Sequence, residues 1–295
     1  MIIEYKIKNS NISINRILEE ELKISSRLRY KLIKLKKIFL NDISIDTRKF
    51  PKTSDILKID FDYEEDSSNI IPTKMDLDII YEDDSFLAIN KPAGISTHPS
   101  RAHFTDSLSN GVKFYFDSIG LKKKIRPVNR LDIDTSGIVI FAKNEYIQEF
   151  FIREMANNTF HKEYIAICDG IFSIKKGRID KPISRKENSI IERTISINGK
   201  PSITDYEVLK EFNNYSLVKF NLLTGRTHQI RVHMKSIFHP ISGDTLYGVK
   251  CNFIDRQALH CYNISFIHPL SKQTISLKCL PKENFFKNFI SLCQM

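Results

Sequence analysis

The sequence predicts an α+β protein in which a small basic α/β unit leads into a larger body of alternating strands and helices. Three observations predict it. Residues 137–142, Gly-Ile-Val-Ile-Phe-Ala, form a short unbroken apolar run of the kind a strand buried on both faces requires. Residues 145–157 follow with Ile147, Phe150, Phe151 and Met155 at helical spacing, so that one stripe packs inward. Residues 162–170 then alternate with period two, which puts Lys162, Tyr164, Ala166 and Cys168 on one face. A chain of 295 residues with 41% hydrophobic side chains and 20 Phe can fill one sizeable core and an accessory module.

Charge and cysteine usage narrow the function classes. Lys and Arg number 45 against 35 Asp and Glu, a net charge of +10, which points to an anionic partner, nucleic acid first and a membrane surface second. Cys168, Cys251, Cys261, Cys279 and Cys293 contain no CxxC and no paired spacing with His, so neither a zinc site nor a redox dithiol is indicated. The first ten residues lack the basic and apolar regions of a signal peptide, and no window of about 18 residues is apolar enough to span a bilayer. The expectation is a soluble, cytoplasmic monomer without a bound cofactor.

In chain order, the basic unit comes first. Ile24, Leu28, Leu32 and Leu35 share a helical face beside a stripe of Lys23, Arg27, Lys31 and Lys34, and Ser25 or Ser26 stands where an N-cap would start that helix. Between Lys23 and Lys37 lie seven basic residues and no acidic one, so Arg27, Lys31, Lys34 and Lys37 are candidate phosphate contacts. Short strand-like pieces follow up to residue 60. The segments RLRYKLIKLKKIFLND and SDILKI resemble the S-four-like RNA-binding module, with Asn41-Asp42 and Ser54 where its turns usually carry glycine. Residues 63–75, acidic and then polar with a proline, read as a linker.

From residue 76 the texture changes. Strands are expected over 77–81 and 85–90, the second closing in the Asn-Lys-Pro-Ala-Gly turn at 90–94, and a helix over 105–116. Lys91 and His98 read as structural or phosphate-touching groups. Residues 126–144, RPVNRLDIDTSGIVIFAKN, are the richest stretch, with a polar loop carrying Asp132 between Leu131 and Ile133 directly before the buried run. A loop fixed to a buried strand is rigid and suits chemistry, which makes Asp132 the candidate reacting group; an Asp beside a Thr-Ser-Gly turn also serves as a turn residue bonded to its own backbone. Tyr164 is half-buried packing or a stacking plate for a base.

Residues 177–198 form a polar excursion between short strands. A strand over 216–223 then ends in Thr-Gly-Arg-Thr-His-Gln-Ile-Arg-Val-His at 224–233, the layout of a glycine turn opening a helix that Thr227 could cap. Arg226, Thr227 and His228 at such a helix start suit a phosphate or carboxylate, His228 and His233 read first as structural histidines, and Ile230, Met234 and Ile237 turn inward, sending Arg231 to another face. A strand over 273–280 and a closing helix from residue 283 complete the chain.

Six pieces in order then resemble pseudouridine synthases of the RluA type: INKPAGISTHP at 89–99, RLDIDTSG at 130–137, KEYIA at 162–166, GKPSITDYEVL at 199–209, TGRTHQIRVH at 224–233 and HPISGDTLYG at 239–248. The resemblance implies a catalytic domain over 76–295 after a module at 1–62, built on a central mixed, largely antiparallel β-sheet with flanking helices and an active-site cleft. It implies isomerisation of uridine in structured RNA, ribosomal ahead of transfer RNA. By position, the catalytic carboxylate falls on Asp132, the base-stacking tyrosine on Tyr164, the carboxylate's arginine partner on Arg231 and the arginine that enters the RNA where the base has left on Arg130. Asn129 stands where the family most often has His.

The residue types fit that chemistry. A buried carboxylate keeps its charge only beside a fixed cation, and an arginine stays protonated in such a place. Base extrusion costs on the order of a few kcal/mol, which Arg130 and Tyr164 would offset. Two other readings stand beside it. One takes Asp132, Asp134 and Asp244 as ligands for a metal in phosphoryl transfer; the other is an inert RNA-binding or ribosome-assembly protein.

Overall fold

The computed structural model describes residues 1–291, so Cys293 lies outside the described residues. The N-terminal unit comprises β1 (Ile2–Lys6), a short helix α1 (Ile14–Arg16) widening into a π-helical turn, α2 (Ser26–Lys34), β2 (Ile38–Leu40), β3 (Ile43–Ser44) and β4 (Ile56–Asp60). Its strands pair antiparallel in the order β1-β4-β2-β3. Ser25 caps α2 by accepting from Leu28 N–H at 3.2 Å. Ile24, Leu28 and Leu32 are buried beneath it, whereas Leu35 is 44% exposed. The helix ends at Lys34, so Leu35 leaves the helical period before it can join that face.

Residues 62–75 contain no helix or strand, yet they do not hang free. Glu65 is buried between Arg126 and Lys31, with Arg126 donating from both Nη atoms at 2.7 Å and Lys31 Nζ at 3.0 Å. Lys31 and Lys123 each sit over the Tyr63 ring, and Ile70 enters the core. The segment straps the N-terminal sheet to the body.

The body follows as β5 (Ile79–Glu82), β6 (Phe86–Lys91), α3 (Leu108–Ser118), β7 (Ser136–Ala142), α4 (Glu145–Ala156), β8 (His161–Asp169), β9 (Lys176–Asp180), β10 (Ile183–Arg185), β11 (Arg193–Ile195), β12 (Ile203–Phe212), β13 (Tyr215–Leu222), α5 (Gln229–Lys235), β14 (Leu259–Ile267), β15 (Thr274–Lys278) and α6 (Asn284–Ser291). Nine of these strands form one sheet in the order β5-β6-β7-β14-β8-β13-β12-β9, with β15 on β14. The sheet is mixed and largely antiparallel, because only β7 and β14 run parallel, joined over Ser136 with His260 and Gly137 with Cys261. Every residue of β7 is buried, as its apolar run requires. The amphipathic helix α4 lies against it, and Phe86, Phe151, Phe160 and Phe266 stack edge and face in the core beneath.

Gly137 makes the sheet's junction possible. Its φ is +117°, and a Cβ there would stand 2.2 Å from the Cys261 carbonyl oxygen, so no other residue lets β7 approach β14 so closely. The loop that precedes this crossing carries Asp132. The two halves of the sheet therefore meet where the candidate reacting group stands.

The excursion at 177–198 folds into β9 and a β10–β11 hairpin. Ile183 and Val232 pack around Tyr247, and Ile195 closes over them, which seats the hairpin against α5.

Candidate active site

The loop carrying Asp132 is held on both sides. Thr97 Oγ1 donates to the Leu131 carbonyl and accepts from Leu131 N–H, each at 3.2 Å. On the other flank, the Ile133 carbonyl accepts from Gly94 N–H at 3.0 Å and from Lys91 Nζ at 2.8 Å. Lys91 is fully buried, and its Nζ also donates to Pro92 and Ile95 carbonyls at 2.8 Å. Burial pushes its pKa down to about 7, while three carbonyls facing one amine are the arrangement that a protonated lysine needs. Lys91 is thus the structural group expected of it, clamping the Pro-Ala-Gly turn to the Asp132 loop.

Asp132 faces Arg231, whose Nη1 donates to its Oδ2 at 3.2 Å. Arg231 is not merely turned away from the core but is 7% exposed, and its other edge is taken by Asp244, with Nε to Oδ2 at 2.6 Å and Nη2 to Oδ1 at 2.8 Å. Burial opposes the guanidinium charge, but the bidentate Asp244 and then Asp132 outweigh it and hold the Arg231 pKa above its ordinary value. Asp244 itself is held by the turn after Gly243, where φ is +75° and a Cβ would stand 2.3 Å from the Arg256 carbonyl. Spending both oxygens of a buried Asp244 on Arg231 leaves the arginine fixed and one of its donors aimed at Asp132.

His228 approaches from the third side. It sits in the left-handed region at φ 58°, as the residue before α5. Tyr247 Oη accepts from Arg193 N–H at 2.7 Å and lies 2.8 Å from His228 Nδ1, a hydrogen bond whose direction is set by the ring's tautomer. The other ring nitrogen, Nε2, lies 3.9 Å from Asp132 Oδ2. Burial lowers the His228 pKa, Asp132 partly offsets this, and Arg231 and Arg193 add to the lowering.

These groups line one cleft of roughly 370 Å³ with Arg130, Lys162, Tyr164 and Arg226, within the usual range for small-ligand sites. Tyr164 is buried, and desolvation first and the neighbouring Cys261 second push its hydroxyl well above 10, so it stays protonated. Arg130 and Arg226 are exposed at the rim. The cleft brings together Asp132, Tyr164, Arg231, Arg130, Arg226, Thr227 and His228.

Elsewhere the structure departs from the sequence reading or decides between its alternatives. Thr227 does not cap α5; it is exposed, and the helix start makes no side-chain cap bond. Gln229 closes that turn instead, its Oε1 accepting from Thr224 Oγ1 at 2.8 Å and Arg226 N–H at 2.9 Å. Asn129 lines the cleft, but its amide donates to the Ile138 carbonyl and accepts from Ile140 N–H, each at 2.9 Å. These two bonds hold β7. His233 is structural, bonded to Thr204 Oγ1 and the Lys181 carbonyl. Asp132, Asp134 and Asp244 do not converge as metal ligands, since Asp134 is exposed and Asp244 is committed to Arg231.

The candidate phosphate contacts of the N-terminal unit divide. Arg27 and Lys34 are exposed with no ion-pair partner among the described residues, but Lys31 pairs with Glu65 and Glu145, and Lys37 with Asp60 at 2.6 Å. Two of the four are spent inside the protein. The sequence offered no role in the site for Lys162, and for Asp244 only that of a metal ligand. Both lie inside motifs, and an acid in a Ser-Gly-Asp turn or a lysine on the tyrosine's face was the available signal.

Known proteins resemble this chain along most of its length. Residues 85–236 match the family model for RNA pseudouridylate synthase. The chain is 36% identical over 88% of its length to the RNA pseudouridine synthase YhcT of Bacillus subtilis (strain 168), covering 86% of that protein. It is 34% identical over 78% of its length to ribosomal large subunit pseudouridine synthase D of Neisseria meningitidis serogroup B (strain ATCC BAA-335 / MC58), covering 65% of that protein. In fold it is similar to human RNA pseudouridylate synthase domain containing 1, with a TM-score of 0.59 and 24% identity over 79% of this chain and 98% of that one. No helix among the described residues is long and apolar enough to cross a membrane. Matched over half its length by the family model and by relatives above 30% identity along most of it, the chain belongs to the RNA pseudouridylate synthase family and is an RNA pseudouridine synthase, an isomerase.

Proposed function

We propose that this synthase converts a specific uridine of ribosomal RNA to pseudouridine, with Asp132 as the catalytic carboxylate and the target base extruded into the cleft. The observation that carries the assignment is the Asp244–Arg231–Asp132 chain, with Arg231 Nη1 at 3.2 Å from Asp132. It offers a carboxylate of fixed orientation, 26% exposed at the cleft, beside a permanent cation. The choice of ribosomal RNA rests on relatives named for the large ribosomal subunit.

The reaction breaks the bond from uracil N1 to ribose C1′, rotates the base and joins C5 to C1′. The C5 proton is lost and N1 gains one, so atoms and electrons balance without an oxidant. Asp132 assists either by adding to uracil C6 or by helping to form and quench a sugar intermediate. Tyr164 stacks on the base, worth roughly 1–3 kcal/mol, and Arg130 at the rim enters the gap the base leaves. The N-terminal module extends the footprint through Arg27 and Lys34.

Asp132→Asn is the test. Pseudouridine-specific labelling with primer extension on ribosomal RNA should show turnover abolished, with RNA affinity within a few-fold of the parent protein. A variant that still turns over removes Asp132 from the chemistry. Modification confined to transfer RNA removes the substrate assignment and leaves the residue assignment intact.

A further inference from the structure

The cleft's charges do not cancel. Asp132 is the one carboxylate among the cleft-lining residues, and Arg231 already faces it. Lys162 is a further cation lining the same cleft, beside Arg130 and Arg226 at the rim, and its Nζ has no hydrogen-bond or carboxylate partner among the described residues. It projects from β8 on the face of Tyr164, two residues away, and its ammonium rests against the turn at Gly225, where a Cβ would come within 3.3 Å of it. The nearest ionisable influence on it is the Cys261 thiol, which burial pushes up to about 12 and so keeps neutral. A desolvated ammonium with no protein counter-charge is costly to keep unless a ligand brings the negative charge.

Uracil and ribose are neutral; the anionic groups of an RNA substrate are its phosphates. Same-face neighbours on a strand stand about 6.6 Å apart, which matches the step from a nucleotide's base to its own backbone. We propose that Lys162 binds the backbone phosphate of the extruded nucleotide while the base lies on Tyr164, so that the cleft takes a nucleotide within a chain and discriminates against a free nucleoside. This rests on the reading of the cleft as the uridine site.

The experiment uses the full-length protein and an RNA oligonucleotide around its mapped target, with the phosphate 5′ or 3′ of that uridine replaced by neutral methylphosphonate. Pseudouridine formation by the parent protein on unmodified RNA is measured first, and its absence overturns the uridine-site reading and this inference together. With activity in hand, one of the two methylphosphonates should weaken binding to the parent protein by about tenfold. Lys162→Met should weaken binding of unmodified RNA by a similar factor and be indifferent to that methylphosphonate, and Lys162→Arg should regain the sensitivity. Losses that multiply in Lys162→Met, or parent-like affinity in that variant, overturn the inference alone. Should Lys162→Met fail to fold by circular dichroism, the parent protein decides: indifference to both methylphosphonates sinks the assignment.

Discussion

Two regions of this protein are rich in basic residues, and they use them in opposite ways. The segment from Lys23 to Lys37 carries seven cations without an acid among them, yet Arg29 is paired with Glu19, Lys31 with Glu65 and Glu145, and Lys37 with Asp60. Those pairs hold the N-terminal unit together and fasten it to the body. The cleft has fewer cations, but Arg231 is aimed at the candidate carboxylate Asp132 and Lys162 faces the cleft without a partner among the described residues. A dense charge run in sequence therefore counts for less than which cations the fold leaves uncommitted.

The largest effect is expected where a cleft charge is deprived of its partner. Asp244→Asn leaves the buried Arg231 without its bidentate counter-charge, which should cost about 3–5 kcal/mol in a denaturant titration. The guanidinium would then swing toward Asp132, and a displacement of that kind should lower turnover about 100-fold. Unchanged stability and rate in this variant would show that Asp244 does not position Arg231. Next comes Lys91→Met, which strands the Pro92, Ile95 and Ile133 carbonyls that now share one ammonium. A loss of roughly 2–4 kcal/mol is expected, with turnover falling while RNA affinity holds, because the variant loosens the Asp132 loop and removes no RNA contact. A drop in affinity alone would place Lys91 in binding.

How far the sequence revealed this arrangement follows from the range of each interaction. Local patterns were legible: the apolar run of β7, the stripe of α4, the Ser25 cap and the alternation of β8 each depend on neighbours a few residues away. That Asp132, Tyr164 and Arg231 would line one cleft was legible through family motifs, though not that Arg231 is buried. Pairings across long separations were not. Nothing near Lys31 shows that Glu65 and Glu145 will meet it, and nothing near Asn129 shows that its amide will bridge Ile138 and Ile140 along β7. Thr227 misled because Thr after a glycine suits an N-cap, whereas the turn was closed from inside by Gln229. Capping propensity is local, and the buried Gln229 amide also reaches Ile203 and Thr204 on β12.

Acid should separate the two regions before the body unfolds. Burial alone would raise the Glu65 carboxyl, but Arg126 first and Lys31 second draw it down from 4.5 to about 2. A carboxyl depressed by folding stabilises the docked form above its unfolded pKa, and that contribution is lost as pH falls from about 4.5 towards 2. Limited acid proteolysis should therefore open the strap at residues 62–75 across this interval, and Glu65→Gln should open it already at neutral pH. A strap that resists cleavage at pH 2.5 would mean that the apolar contacts of Phe61 and Ile70 suffice to hold the unit in place.

The smallest effects test the contrast most directly, because they compare cations a few residues apart on one surface. Arg27→Ala and Lys34→Ala each remove a charge with no ion-pair partner among the described residues, so each should reduce the slope of log affinity against log salt by about 0.7–0.9 when the substrate RNA is bound. Lys37→Ala removes a charge already neutralised by Asp60, and its slope should stay at the parent value while folding stability falls by about 0–1 kcal/mol. Filter binding of substrate RNA between low and physiological salt reads all three. Equal slope changes in the three variants would mean that RNA draws Lys37 away from Asp60, and the division between committed and free cations would not survive contact with the substrate.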